Sequence, residues 1–300
     1  MRNPVTRLNG LFTSRPDNGG RVDDVTLRSE IELRNMTEIQ AFGAFSRRTL
    51  YAAVGTALLG SGWQVHASEY PTKGDSARHP GVARVHKMPV HGIDVSHWQG
   101  EIHWSAVAKA GTKFAFIKAT EGVDHLDSKF KLNWSGAARA GIPRGAYHFM
   151  VWCRSAEEQA RWFARNVPAD PHALPPVLDA EWNGNPKTCP GKIPPGRARA
   201  MMKTVLDAME RHSGKRPIIY TDITFHEEVL EGEFDAYPYW VRSVAADPKE
   251  RYRNRTWTLW QFTTTGRVPG IKGPVDRNAF VGNRAQWASW LAGRSTVATR

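Results

Sequence analysis

At 300 residues the chain is long enough for one large α/β domain or two smaller ones, and a composition of 41% apolar and 23% charged residues excludes a disordered chain. Lys and Arg outnumber Asp and Glu by 41 to 29, and the net charge of +12 favours polyanionic surroundings such as nucleic acid, anionic lipid or a cell wall, although no block of consecutive basic residues marks a nucleic-acid arm. The two cysteines, Cys153 and Cys189, are too few for a disulfide scaffold and lack the C-x-x-C spacing of a metal site.

Residues 46–67, "SRRTLYAAVGTALLGSGWQVHA", place two arginines before a mildly apolar stretch ending in Val65-His66-Ala67. That is the order of a twin-arginine-like signal peptide, which implies a periplasmic or extracellular protein. The apolar part is too short and too rich in glycine to span a membrane, so no stable membrane insertion is expected. The bland alternative is an amphipathic surface helix. Because signal n-regions are brief, the long lead before Arg47 predicts a translation start at Met36, which leaves residues 1–35 outside the protein, and 1–45 as a whole reads as a disordered or mis-assigned N-terminal extension. Residues 68–89, polar and containing Pro71, Gly74, Pro80 and Gly81, read as a linker.

From residue 90 onward, apolar β-type runs alternate with helical patterns. "VHGIDVS" (90–96) precedes a helix ending near Gly111, and "FAFIKAT" (114–120) precedes one around Phe130, Trp134 and Ala138. "RGAYHFM" (144–150) leads to a helix opened by Ser155 with Glu158 three residues on, the signature of a capping box. "PVLDAEW" (176–182) leads through a Pro- and Gly-rich loop to a helix near Met201 to His212, stopped by Gly214. "PIIYT" (217–221), "YWVRSV" (239–244), "TLWQFT" (258–263) and "VDRNAF" (275–280) complete eight strands. Right-handed crossovers close such a series into a modified, TIM-like β/α barrel with about five main helices and a degenerate last third. The barrel domain is expected over 90–285, followed by a helix or tail over 286–300.

In such a barrel the carboxyl ends of the strands line the active site. Asp94, Asp179, Glu181 and Asp276 fall at those ends, with Tyr147, His148, Tyr220, Trp240 and Gln261 on the same strands. On a strand, residues i and i+2 share a face with Cα atoms about 6.6–6.8 Å apart, so Asp179 and Glu181 point at the same solute. Two close carboxyls do not both ionise cheaply, and the less solvated one keeps its proton. An acid beside an anion suits glycosidic hydrolysis, in which one group protonates the leaving oxygen and another stabilises or attacks the oxocarbenium-like centre. The competing readings of the pair are an ion pair with Lys or Arg, or a metal site. No loop supplies an EF-hand-like spacing and no H-x-x-x-H pattern occurs, so neither a metal nor a cofactor is expected. His97 and His103 read as core or surface residues and Lys118 as a charge partner. Trp134, Trp162, Trp287 and Trp290 fit core faces, whereas Trp98, Trp182 and Trp240 lie near strand ends as candidate sugar platforms.

From about His91 to Phe280 the sequence resembles the glycoside hydrolase family 25 lysozymes, the Chalaropsis-type muramidases. The resemblance rests on "GIDVSHWQG" (92–100), "FIKATEG" (116–122), "GAYHF" (145–149), "LDAEW" (178–182), "IIYT" (218–221), "LWQFT" (259–263) and "VDRNAF" (275–280). It implies a modified β/α barrel that cleaves the β-1,4 bond between N-acetylmuramic acid and N-acetylglucosamine in peptidoglycan. By the same resemblance Glu181 is the proton donor and Asp179 its partner, orienting the substrate acetamido group or stabilising a cyclic intermediate. Asp94 and Asp276 complete the acidic cluster, and Tyr147, His148, Tyr220, Trp240, Gln261 and Trp98 shape the sugar groove. Two departures stand out. Many members carry a small residue where this chain has Arg242, and the loop "NGNPKTCPGKIPPG" (183–196) is not a general feature of the family. Its Cys189 is placed to bridge Cys153 and tie two site loops together. The expected partner is peptidoglycan, acted on by a monomer, and no nucleic acid. The rival readings are a catalytically silent peptidoglycan-binding module and a basic nucleic-acid binder.

Overall fold

The computed structural model describes residues 79–184, 189 and 192–293. The expected signal peptide, everything N-terminal to it, and the first part of the expected linker lie outside the described residues.

Nine strands form a single sheet: β1 (His91–Val95), β2 (Phe114–Glu121), β3 (His125–Leu126), β4 (Arg144–Phe149), β5 (Val177–Ala180), β6 (Ile218–Thr221), β7 (Tyr239–Arg242), β8 (Leu259–Gly266) and β9 (Val275–Phe280). β3 is a two-residue hairpin partner of β2, and the other eight close into a barrel because β1 pairs with both β2 and β9. Neighbours from β1 through β2 and on from β4 to β8 run parallel, whereas β9 enters antiparallel between β8 and β1. The antiparallel closure is the degenerate last third: β8 and β9 are linked by a short loop, so no crossover helix is available there.

The main helices are α1 (Trp104–Lys109), α2 (Phe130–Arg139), α3 (Ala156–Asn166), α4 (Pro195–Ser213) and α5 (Arg284–Leu291). Ser155 caps α3 by accepting a hydrogen bond from the Glu158 amide, and Gly214, at φ 68°, ends α4 in the left-handed conformation that glycine adopts without strain.

The period-two pattern of each strand sorts side chains into two cores. Outward-facing Ile93, Ala115, Ile117, Ala146, Leu178, Ile219, Val241 and Trp260 are buried with the apolar faces of the helices. Inward-facing Phe114, Phe116, Val177, Ile218, Tyr220, Trp240, Leu259 and Phe280 fill the barrel. Phe114 and Phe280 lie 5.2 and 5.1 Å from Trp287 of α5, measured between ring centroids, which closes the lower end. Phe116 stacks on Trp240 at 4.9 Å one layer higher, and Tyr220 meets Trp240 edge-on at 4.7 Å. Each buried Phe is worth about 1.5–3 kcal/mol of removed apolar surface. These rings need room opposite them: a Cβ on Gly92 would sit 2.4 Å from the Phe114 ring, and one on Gly145 would sit 2.7 Å from Phe116.

Two expected boundaries change. Residues assigned to the end of the linker form a 3-10 helix, Pro80–Lys87, that buries Val82 and Val85 against the barrel. Its Arg84 pairs with Asp247 and lies 5.5 Å from the centre of the Trp260 ring, and His91 Nε2 meets the Val85 carbonyl at 3.1 Å. At the other end, α5 begins at Arg284, two residues before the boundary expected for a helix or tail, and its Trp287 and Trp290 pack into the barrel core. Pattern reading missed the first segment because only two of its eight residues are apolar anchors.

Candidate active site

Above the aromatic layer the inward positions turn polar. Asp94 lies next to the last residue of β1, Lys118 on β2, Tyr147 and Phe149 on β4, Asp179 on β5, Gln261 on β8 and Asp276 on β9, and Glu181 stands one residue beyond β5. Together with Tyr220 and Trp240 they line a cleft of about 210 Å³ at the carboxyl ends of the parallel strands. Strand register explains the convergence. Asp94 is the cross-strand partner of Asp276, Asp179 of Tyr220, and Gln261 of Asn278.

A fixed network holds part of this ring. Gln261 donates through Nε2 to Asp94 Oδ2 at 3.0 Å and to Asp276 Oδ2 at 3.1 Å, and its Oε1 accepts from Tyr220 OH at 2.9 Å. Asn278 donates to Asp94 Oδ2 at 2.8 Å and accepts from Trp240 Nε1 at 2.9 Å. The buried aromatic layer therefore sets where the carboxyls sit. Glu181 is anchored through its backbone, since Trp152 Nε1 donates to its carbonyl at 2.7 Å. Lys118 pairs with Glu121 at 2.6 Å. Asp179 Oδ1 is buried without a hydrogen-bond partner among the described residues.

Removal from water raises all four carboxyl pKa values, and desolvation is the largest cause in each. Asp94 rises only to about 6 because Asn278 and Gln261 donate to its anion. Glu181 rises to about 7, with the Asp222 charge adding to burial while Arg242 and Lys118 oppose it. Asp276 rises to about 8 through burial and the neighbouring Asp94, and Asp179 is pushed well up by burial and by Glu181. Near neutrality the cleft therefore holds an anion beside carboxyls that keep protons.

Eight of the expected site residues line the cleft: Asp94, Tyr147, Asp179, Glu181, Tyr220, Trp240, Gln261 and Asp276. His148 does not. It follows Tyr147 on the opposite face of β4, is fully buried, and contacts Thr120 Oγ1 at 2.8 Å and Gln159 Oε1 at 3.2 Å. Burial lowers its pKa to about 4, so it is a neutral packing residue behind the wall. Trp98 is also outside the cleft lining. It is 65% exposed, with its ring centre 4.5 Å from that of His97, on the turn after β1. Trp182 packs on Phe225 and Trp152 and donates to Glu228 at 2.6 Å, and Trp240 is floor rather than open platform. Cys153 and Cys189 meet: the Cys153 amide donates to Cys189 Sγ at 2.8 Å.

The sequence reading did not assign Asn278 or Asp222 to the site and noted Arg242 only as a departure. Each is two positions along a strand path from a residue it did single out: Asp276, Tyr220 and Trp240. The i, i+2 rule applied to Asp179 and Glu181 would have found all three.

A closed β/α barrel with a carboxyl-lined mouth, acids of raised pKa and an aromatic floor defines a carboxylate-dependent glycosidase site. The sequence model of Glycosyl hydrolases family 25 matches residues 93–271, and the chain belongs to that family. Lysozyme M1 of Streptomyces globisporus is 40% identical over 206 residues, covering 66% of this chain and 69% of that protein. Among solved structures, the bacterial lysozyme from Streptomyces coelicolor aligns with TM-score 0.60 at 36% identity, covering 69% of this chain and 98% of the other. A family 25 glycosyl hydrolase from Bacillus anthracis aligns with TM-score 0.63 at 34% identity, covering 71% and 96%.

Proposed function

We propose that this family 25 glycoside hydrolase is a lysozyme in which Glu181 is the general acid acting on the β-1,4 bond between N-acetylmuramic acid and N-acetylglucosamine. The observation that carries this reading is Glu181 at the cleft mouth with its pKa raised to about 7, beside three further carboxyls. The Glu181 proton passes to the glycosidic oxygen as the bond from that oxygen to the anomeric carbon breaks, and the resulting carboxylate then takes a proton from the water that adds to that carbon. Asp179, whose Oδ1 lacks a partner, suits the N–H of the substrate acetamido group and the charge that develops there. Asp94, held by two amides, supplies the fixed anion, and its charge, with that of Asp222, helps keep Glu181 from ionising early.

Glu181→Gln is the test. Release of reducing ends from purified peptidoglycan should fall by about 10²–10⁴-fold, the usual worth of a general acid, while sedimentation with the wall is retained. Unchanged release would remove the assignment, and mass spectrometry should find muramic acid at the new reducing ends. A silent wall-binding module would give no release from the wild type either.

The basic charge and the signal-like segment at 46–67 support export to the periplasm or beyond, with the folded unit acting as a monomer. Among the described residues no helix is long and apolar enough to cross a membrane. Export would also expose Cys153 and Cys189 to disulfide-forming conditions.

A further inference from the structure

We infer that Arg242 is a specificity-determining residue that recognises a carboxylate carried by the glycan beside the bond to be cut. The inference rests on the peptidoglycan reading for its choice of glycan.

The placement comes from β7. Trp240 points into the barrel, Val241 faces the outer shell, and Arg242 returns to the interior side at the strand end, half-buried. Its cross-strand partner is Gln261, the residue that holds Asp94 and Asp276, and its own carbonyl accepts from Tyr252 OH at 2.6 Å. The guanidinium lies within electrostatic reach of Tyr220 and Asp222 on β6 and the loop after it, of Glu181 past the end of β5, of Asp276 on β9 and of Asp94 on β1. Yet among the described residues its side chain forms no salt bridge and donates no hydrogen bond. The cation that lines the cleft itself, Lys118, is committed to Glu121, and Arg242 stands one inward step beyond the cleft-lining Trp240 on the same strand.

A half-buried guanidinium is costly to keep without a partner, and its five N–H donors match a carboxylate in a two-pronged geometry. Its charge also works against the reaction in the empty site, because it favours the ionised form of Glu181. A substrate carboxylate seated on Arg242 removes both penalties, since it satisfies the fork and cancels the charge that draws the proton from Glu181. Muramic acid provides such a group. Its 3-O-lactyl carboxyl is free where no peptide is attached and is an amide where a stem peptide is present, and the stem itself carries further carboxylates.

Binding decides the matter, measured by calorimetry on Glu181→Gln protein so that the glycan is not consumed. Three glycans are compared: peptide-free chains with free lactyl carboxylates, the same chains with those groups converted to methylamides, and peptide-bearing chains. The expected result is about tenfold or tighter binding of the free acid than of the methylamide. Adding Arg242→Gln should abolish that preference by weakening the acid while leaving the methylamide unchanged, and Arg242→Lys should restore part of it. Peptide-bearing chains that behave like the methylamide assign the recognised group to the lactyl acid, and chains that behave like the acid assign it to the stem. Equal weakening of acid and methylamide by Arg242→Gln, or no weakening of either, overturns the inference. Absence of reducing-end release by the wild type from all three would instead sink the hydrolase reading, with the binding comparison still deciding Arg242.

Discussion

Glu181 illustrates how one residue acquires its chemistry from its surroundings. Its carboxyl is ordinary in sequence, and burial plus the Asp222 charge raise its pKa to about 7. In the proposed role of general acid it works only while protonated, so activity should fall as pH rises through that value. Asp222→Asn removes the second-largest cause of the shift. It keeps the cap on the Phe225 amide, since Asn caps as well as Asp. The Glu181 pKa should drop, and the alkaline limb of the kcat/KM profile should move to lower pH with little change in melting temperature. A limb that stays in place would mean that another group controls it. The placement of Asp179 and Glu181 in one cleft was legible from the D-x-E spacing on a strand. His148 was misread because neighbours on a strand face opposite ways, so a histidine beside the cleft-lining Tyr147 lies behind the wall.

At the scale of elements, the strands matter as carriers of layers. Gly145 on β4 lies against the Phe116 ring, and Phe116 stacks on Trp240, which in turn holds Asn278. An added methyl has nowhere to go in a packed interior. Gly145→Ala should destabilise by about 1–3 kcal/mol, with about 2–4 °C of Tm lost per kcal/mol, as scanning calorimetry would record. The loop after β4 and the loop after β5 meet through Cys153 and Cys189, and oxidation by a protein disulfide or glutathione disulfide would transfer two electrons and two protons to the oxidant and join them. Intact mass of protein recovered from an oxidising compartment, with and without reductant, should differ by two hydrogens, and an unchanged mass would leave the pair as packing thiols. The strand series and its turn glycines were readable from alternation, whereas the 3-10 segment at Pro80–Lys87 was not, because its anchors find their partners only across the fold.

For the whole molecule, the acidic mouth is a stability cost that grows with pH. Glu181 and Asp276 hold protons to about 7 and 8 when folded but lose them near the usual carboxyl range when unfolded. The folded state then binds more protons over that interval, so stability falls as pH rises through it. His91, His148 and His226 act oppositely, since burial lowers each to about 4, but their contribution tails off above about pH 6.5. Between roughly pH 6.5 and 8 the carboxyls therefore dominate, and denaturant midpoints should decrease. Asp276→Asn should flatten that decrease, and an unaltered slope would show that Asp276 ionises freely in the native protein.

By itself the sequence determined the order of the strands, the family motifs they carry, and the four carboxyls at their ends, because these follow from a local period of two and from residues spaced along single strands. Only the tertiary structure decided which neighbours set those carboxyls. Gln261 bridging Asp94 and Asp276, Asn278 linking the floor to Asp94, and Arg242 set beside Gln261 all depend on cross-strand register around a closed barrel. Register is a relation between distant segments, and desolvation depends on everything packed around a group, so neither is written in any one stretch of chain.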